Sequence, residues 1–141
     1  MNVATQFQRL RRTGDRATPV RSALMTILSE SNGPLGVADL SQRLMIKKLR
    51  PNKTTLYRAL GFMVERGWIH ELDFGNGRKS YEWAEGHHHH LVCRECHRVE
   101  EVETNALEDS FLRFERGLGR KSKFASLTHS LEFYGLCAKC Q

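Results

Sequence analysis

His87-His88-His89-His90-Leu91-Val92-Cys93-Arg94-Glu95-Cys96 sets four imidazoles and a short apolar run directly before a C-x-x-C turn. Such a turn brings two thiolates within reach of one metal ion, and Cys137-x-x-Cys140 supplies the second pair that a closed four-thiolate zinc site needs. Forty residues separate Cys96 from Cys137, more than a minimal zinc ribbon uses, so the chain between them must fold to return Cys137 to Cys93. For a single C-x-x-C, thioredoxin-like redox chemistry would compete; two pairs and no other cysteine favour structural zinc at Cys93, Cys96, Cys137 and Cys140. A disulfide framework is the alternative. The N-terminal stretch MNVATQFQRLRR lacks the apolar core of a secretory signal and no stretch is long enough to span a membrane, so a reducing cytoplasm is the expected location.

The rest of the composition points to a partner. In 141 residues there is room for one domain or two small ones, and a small domain commonly needs a metal to supplement its core. Lys and Arg number 22 against 16 Asp and Glu, a formal charge of +6. The positive excess lies in the first 80 residues, while carboxylates gather between Glu95 and Glu108. That asymmetry suggests a nucleic-acid face on the N-terminal half, although a basic surface is often only a solubility feature.

The N-terminal half reads as three helices and a hairpin. Thr18-Pro19 is a helix start, with the hydroxyl as cap, and Val20, Ala23, Leu24, Ile27 and Leu28 follow at helical spacing. A second helix, with stripe Val37, Leu40 and Leu44, lies between the Asn32-Gly33-Pro34 break and Pro51. The third begins near Asn52, buries Leu56, Ala59, Leu60, Met63 and Val64, leaves Thr54, Thr55 and Arg58 outside, and stops at Gly67. Trp68 to Asp73 and Lys79 to Trp83 then flank Gly75-Asn76-Gly77 as a hairpin. This is the order of a winged helix-turn-helix, whose third helix enters the major groove. Lys53, Thr54, Thr55, Tyr57, Arg78 and Lys79 would meet phosphate, and Arg58 would read a guanine edge. Alternatively Tyr57 closes the core and Arg58 is a solvated helix residue.

The run Thr54-Thr55-Leu56-Tyr57-Arg58-Ala59-Leu60 resembles the recognition-helix signature of the ferric-uptake-regulator (Fur) family of repressors. Thr18-Pro19-Val20-Arg21, His87 to Cys93, Cys93-x-x-Cys96 and His129-Ser130-Leu131-Glu132-Phe133-Tyr134-Gly135-Leu136-Cys137 stand in the same order as in that family, from about Arg16 to Cys140. The resemblance implies an α+β protein with a winged-helix DNA-binding domain over 1–83, a hinge with ligand histidines over 84–90, and a small α/β dimerisation and metal-binding domain with structural zinc over 91–141. It also implies a cytoplasmic homodimer on inverted-repeat operators in double-stranded DNA, with no membrane and no small organic substrate, and adds Arg16 and Arg21 to the DNA contacts.

If His88 to Cys93 is a strand, alternate side chains face opposite ways, which separates His88 and His90 from His87 and His89. A following strand from Arg98 to Glu103 offers Glu101, the next helix carries Glu108, and in the last strand His129 shares the parity of Leu127, Leu131 and Phe133, toward an apolar interior. By motif position, His87, His89, Glu108 and His129 resemble the family's dimerisation-domain site, and Glu82, His88, His90 and Glu101 its hinge sensor. His89 stands where the family commonly has aspartate, and nitrogen in place of oxygen favours zinc, nickel or iron(II) over manganese. The histidine that the hinge sensor usually borrows from the winged helix aligns with Pro34, which has no ligand atom. His97 stands where the family prefers glycine; it is a surface residue or an additional ligand. Glu108 three residues after Asn105 also fits a capping box, and His129 also fits a core histidine bonded to a carbonyl.

The reading is therefore a metal-responsive repressor with zinc or iron(II) as exchangeable co-repressor beside the structural Zn2+. Within the same class the alternative is a peroxide sensor, which needs the hinge site that Pro34 weakens. A zinc hydrolase or deaminase is the alternative from another class, but H-E-x-x-H and H-x-E with P-C-x-x-C do not occur, and four thiolates would close the site to water. An enzyme is not expected.

Overall fold

The computed structural model describes residues 16–75, 77–84, 86–102 and 105–141. Asn76 of the expected turn, Glu85 of the expected hinge and Glu103 of the expected strand lie outside them. The chain forms two compact units, Met1–Gly86 and His87–Gln141. Among the described residues no helix is long and apolar enough to cross a membrane.

In the first unit three helices precede a small sheet: α1 (Pro19–Ser29), β1 (Leu35–Gly36), α2 (Val37–Ile46), α3 (Lys53–Glu65), β2 (Ile69–Asp73) and β3 (Lys79–Trp83). Each helix starts where its sequence supplies an acceptor. The Thr18 hydroxyl accepts from the Arg21 amide at 3.3 Å, the Asp39 carboxylate from the Gly36 amide at 3.2 Å, and Asn52 Oδ1 from the Thr55 amide at 2.8 Å. Past the end of α3, Gly67 takes φ +65°, the left-handed turn that releases the chain toward β2. Leu24, Leu28, Leu40, Leu44, Leu56, Leu60, Met63, Ile69 and Tyr81 form a closed core. Burying one such side chain contributes about 1.5–3 kcal/mol, so the Leu56, Ala59, Leu60 and Met63 stripe fixes the roll of α3 and leaves its other face in water. β2 and β3 pair antiparallel with Glu71 opposite Tyr81, and the two-residue β1, which periodicity does not announce, pairs with β3 through Leu35 and Tyr81. The expected winged helix is the observed one.

The second unit holds β4 (His89–Cys93), β5 (Val99–Val102), α4 (Asn105–Ser122) and β6 (Glu132–Gly135), with sheet order β5-β4-β6. β4 and β5 are antiparallel around the first cysteine turn, whereas β6 runs parallel to β4, with His90 opposite Glu132. A parallel neighbour requires a crossover, and α4 supplies it. The last strand is shorter than its alternation suggests: His129 precedes it, and Phe133 is 45% exposed in place of the expected interior position. β6 pairs only with β4 among the described strands, so its outer edge carries no neighbour to bury that side chain.

Candidate metal centres and nucleic-acid face

The two cysteine turns meet at one end of the second unit. The Cys93 amide donates to the Arg98 carbonyl at 2.9 Å and the Arg94 amide to the Gly135 carbonyl at 2.8 Å, which ties the first turn to β5 and to the end of β6. All four thiols are free, and their sulfurs lie within 4.8 Å of one another, with Cys96 Sγ and Cys137 Sγ 3.7 Å apart. A tetrahedral zinc with bonds of about 2.3 Å has sulfurs about 3.8 Å apart, so the donor set fits that ion. The Cys137 amide, 3.4 Å from Cys93 Sγ, and the Cys96 amide hold the Cys93 thiol at a pKa of about 6. Proximity to the Cys137 sulfur, with burial, pushes Cys140 up to about 12. One thiolate is thus formed in advance, and the last needs a cation beside it. His97 is exposed and takes φ +60°, which gives the glycine preference at this position a backbone cause.

A second cluster forms on the inner face of the same unit. His87 lies beside His89, ring centroids 4.7 Å apart, and His88 beside His90 at 5.0 Å, although β4 begins only at His89 and not at the expected His88. α4 brings Glu108 to the first set: its carboxylate lies 3.4 Å from His87 Nε2, 3.5 Å from His89 Nε2 and 3.5 Å from His129 Nε2. His87 Nε2 and His129 Nε2 are 3.0 Å apart. For nitrogen and oxygen ligands at about 2.0–2.1 Å from one tetrahedral ion, neighbouring donors lie about 3.3 Å apart, and these separations bracket that value. Burial, then the neighbouring His87 ring, lowers the pKa of His89 and keeps it neutral, the form a metal ligand needs. Its Nδ1 accepts the Leu131 amide at 3.2 Å, while its buried Nε2 makes no hydrogen bond. A buried polar atom left so costs about 1–3 kcal/mol, and a cation among the four donors would relieve it once the ring proton has moved to Nδ1.

His88 and His90 lie on the other face, with Glu101 directly across from His90 in the β4–β5 register. Glu82 belongs to the first unit, on β3, where it is buried and its Oε1 is 3.6 Å from His70 Nδ1 across the hairpin. On α3, Lys53, Thr54, Thr55, Tyr57 and Arg58 are exposed together, as are Arg78 and Lys79 on the hairpin and Arg16 before α1. Tyr57, at 40% exposure, does not close the core. Lys79 and Arg21 have partners within the first unit. The Lys79 ammonium is 2.6 Å from Glu71, whose other oxygen accepts from Tyr81 Oη at 2.9 Å, and Arg21 lies 3.7 Å over the Phe62 ring while donating to the Arg16 carbonyl.

Sequence reasoning missed His70 and Glu115. Glu115 Oε1 is 2.9 Å from His129 Nδ1. The signal available for it was helical spacing, since Glu108 and Glu115 are seven residues apart and share a face of α4.

The profile of the Ferric uptake regulator family matches residues 12–134. The chain is 35% identical over 132 residues to the Ferric uptake regulation protein of Bacillus subtilis (strain 168), covering 89% of this chain and 85% of that protein. The Helicobacter pylori ferric uptake regulator Fur superposes with TM-score 0.81 over 99% of this chain and 94% of that one, at 19% identity a likeness of fold alone. A zinc uptake regulator complexed with zinc and DNA superposes with TM-score 0.64 at 27% identity, covering 98% and 91%. Because the family profile runs through nearly the whole of both units, the chain belongs to the Ferric uptake regulator family, whose members are metal-responsive transcriptional regulators and not enzymes.

Proposed function

We propose that this regulator is a cytoplasmic homodimer that represses promoters by binding inverted-repeat operators, with exchangeable zinc or iron(II) as co-repressor. His87, His89, Glu108 and His129 would hold that ion, and Cys93, Cys96, Cys137 and Cys140 a structural zinc. The observation that carries the reading is the convergence of donors from β4 and the residues just before it, from α4 and from the segment before β6 around a buried Nε2 that makes no hydrogen bond. Glu82, His88, His90 and Glu101 form a second proposed set, less favoured because Pro34 supplies no ligand atom.

Each unit has a part in this. α3 would enter the major groove with Arg58 on a base edge and Lys53, Thr54, Thr55 and Tyr57 on the backbone, while Arg16, Arg21, Arg78 and Lys79 meet flanking phosphates. A second copy suits the apolar stripe Leu107, Phe114 and Leu118 on α4, where Phe114 is 66% exposed. When bound, the exchangeable ion supplies the positive charge that lets Glu108 and three imidazoles close on one point. It acts as co-repressor only if it binds the DNA-competent conformer more tightly than the other.

The test titrates a labelled inverted-repeat operator with protein at one fixed salt level and buffered free metal. His87→Ala and His129→Ala are expected to lose the metal-dependent gain in affinity while keeping one cysteine-bound zinc per chain. Operator binding that survives a chelator strong enough to remove everything but that zinc overturns the reading.

A further inference from the structure

We propose that Glu115 is a positioning residue for the exchangeable metal site, acting through His129; this rests on the reading that His87, His89, Glu108 and His129 hold the ion. A neutral imidazole carries one proton, and only the nitrogen without it can ligate. In His129 the two nitrogens face different carboxylates: Nε2 faces His87 Nε2 at 3.0 Å and Glu108 at 3.5 Å, and Nδ1 lies 2.9 Å from Glu115 Oε1. A carboxylate at that distance accepts a hydrogen bond from Nδ1–H and so holds the proton on Nδ1, which leaves the lone pair on Nε2, on the side of the other three donors.

The surroundings hold this arrangement in place. The His129 and Glu115 side chains are only 17% and 15% exposed, which strengthens a charge-assisted bond relative to one in water. Phe111, one turn before Glu115 on the same face of α4, packs on the His129 ring at 5.0 Å between centroids. Gly119, one turn after it, lets the returning chain approach: a Cβ there would stand 2.9 Å from the Phe124 carbonyl oxygen. A single helix therefore contributes a ligand at Glu108 and, two turns later, the group that orients another ligand. Outer carboxylates of this kind also raise the basicity of the imidazole they hold, and losing one commonly weakens metal binding about 10–100-fold.

The experiment uses the full chain with its cysteine-bound zinc in place and titrates zinc(II) and cobalt(II) into wild type, Glu115→Ala, Glu115→Gln and His129→Ala. Glu115→Ala is expected to weaken the exchangeable site about 10–100-fold, and Glu115→Gln, whose amide oxygen can still accept from Nδ1, by less. Ring nitrogen shifts of His129 before the titration give a readout independent of metal: proton on Nδ1 in wild type, moved to Nε2 in Glu115→Ala. If Glu115→Ala fails to fold, Glu115→Gln decides, with several-fold weaker binding expected. Binding within twofold of wild type in the folded Glu115 variants, while His129→Ala abolishes it, overturns the proposal and leaves the site reading standing. Undiminished binding in His129→Ala overturns both.

Discussion

His89 shows how one side chain can serve both the fold and the site. Its Nδ1 accepts the Leu131 amide, so in the metal-free ring the proton sits on Nε2, which faces Glu108 Oε2 at 3.5 Å. Ligation through Nε2 requires that the proton move and the Leu131 bond be given up, at a cost of about 0.5–1.5 kcal/mol. Aspartate at this position would bring an oxygen to the site and make no such demand on the tautomer. His89→Asp is therefore expected to raise manganese(II) affinity relative to zinc(II) by about tenfold or more, as read by competition between the two ions. An unchanged preference would exclude His89 from the ligand set. The histidine run and its alternation were legible in the sequence because a strand has a period of two. The Leu131 contact was not, because it joins residues 42 positions apart.

Among the elements, the hairpin limits its own charge. Glu71 on β2 holds Lys79 on β3 at 2.6 Å and accepts from Tyr81 as well. The Lys79 contact, ahead of the Tyr81 bond, lowers the Glu71 pKa, while the carboxylate keeps the Lys79 ammonium charged. A depressed carboxylate pKa contributes stability above its unfolded value and loses it as pH falls through the folded value, so Lys79 is released only in acid. Glu71→Gln is expected to free the ammonium at neutral pH. Affinity should then rise about equally for all DNA sequences, and the slope of log affinity against log salt should steepen by about one. A gain confined to one operator would mean that the hairpin reads bases. The three helices and this hairpin were readable from caps, apolar spacing and turn residues. The pairing of β1 and the early end of the last strand were not, since two residues carry no period and the length of β6 depends on its partner β4.

For the molecule as a whole, the thiolate cluster is the closure of the second unit, joining the β4–β5 turn to the segment after β6. Chelation of the cysteine zinc is expected to unfold His87–Gln141 while the first unit, with its own closed core, keeps its helices, as followed by amide exchange. Acid adds to this once the zinc has been removed. The Cys93 pKa is depressed to about 6, so what its thiolate contributes is present above the free thiol value and is lost as pH falls through about 6. Equal protection of both units after chelation would contradict this.

Local chemistry was enough to specify the winged helix, the two cysteine pairs and the separation of the histidines into two sets, since capping, apolar periodicity and ligand spacing act over a few residues. Folding alone brought Glu108 and His129 to His87 and His89, set Glu115 behind His129, and put His70 across from Glu82. Those contacts depend on the roll of α4, a parallel strand register and a hairpin pairing, each settled by long-range burial that no short stretch of residues encodes.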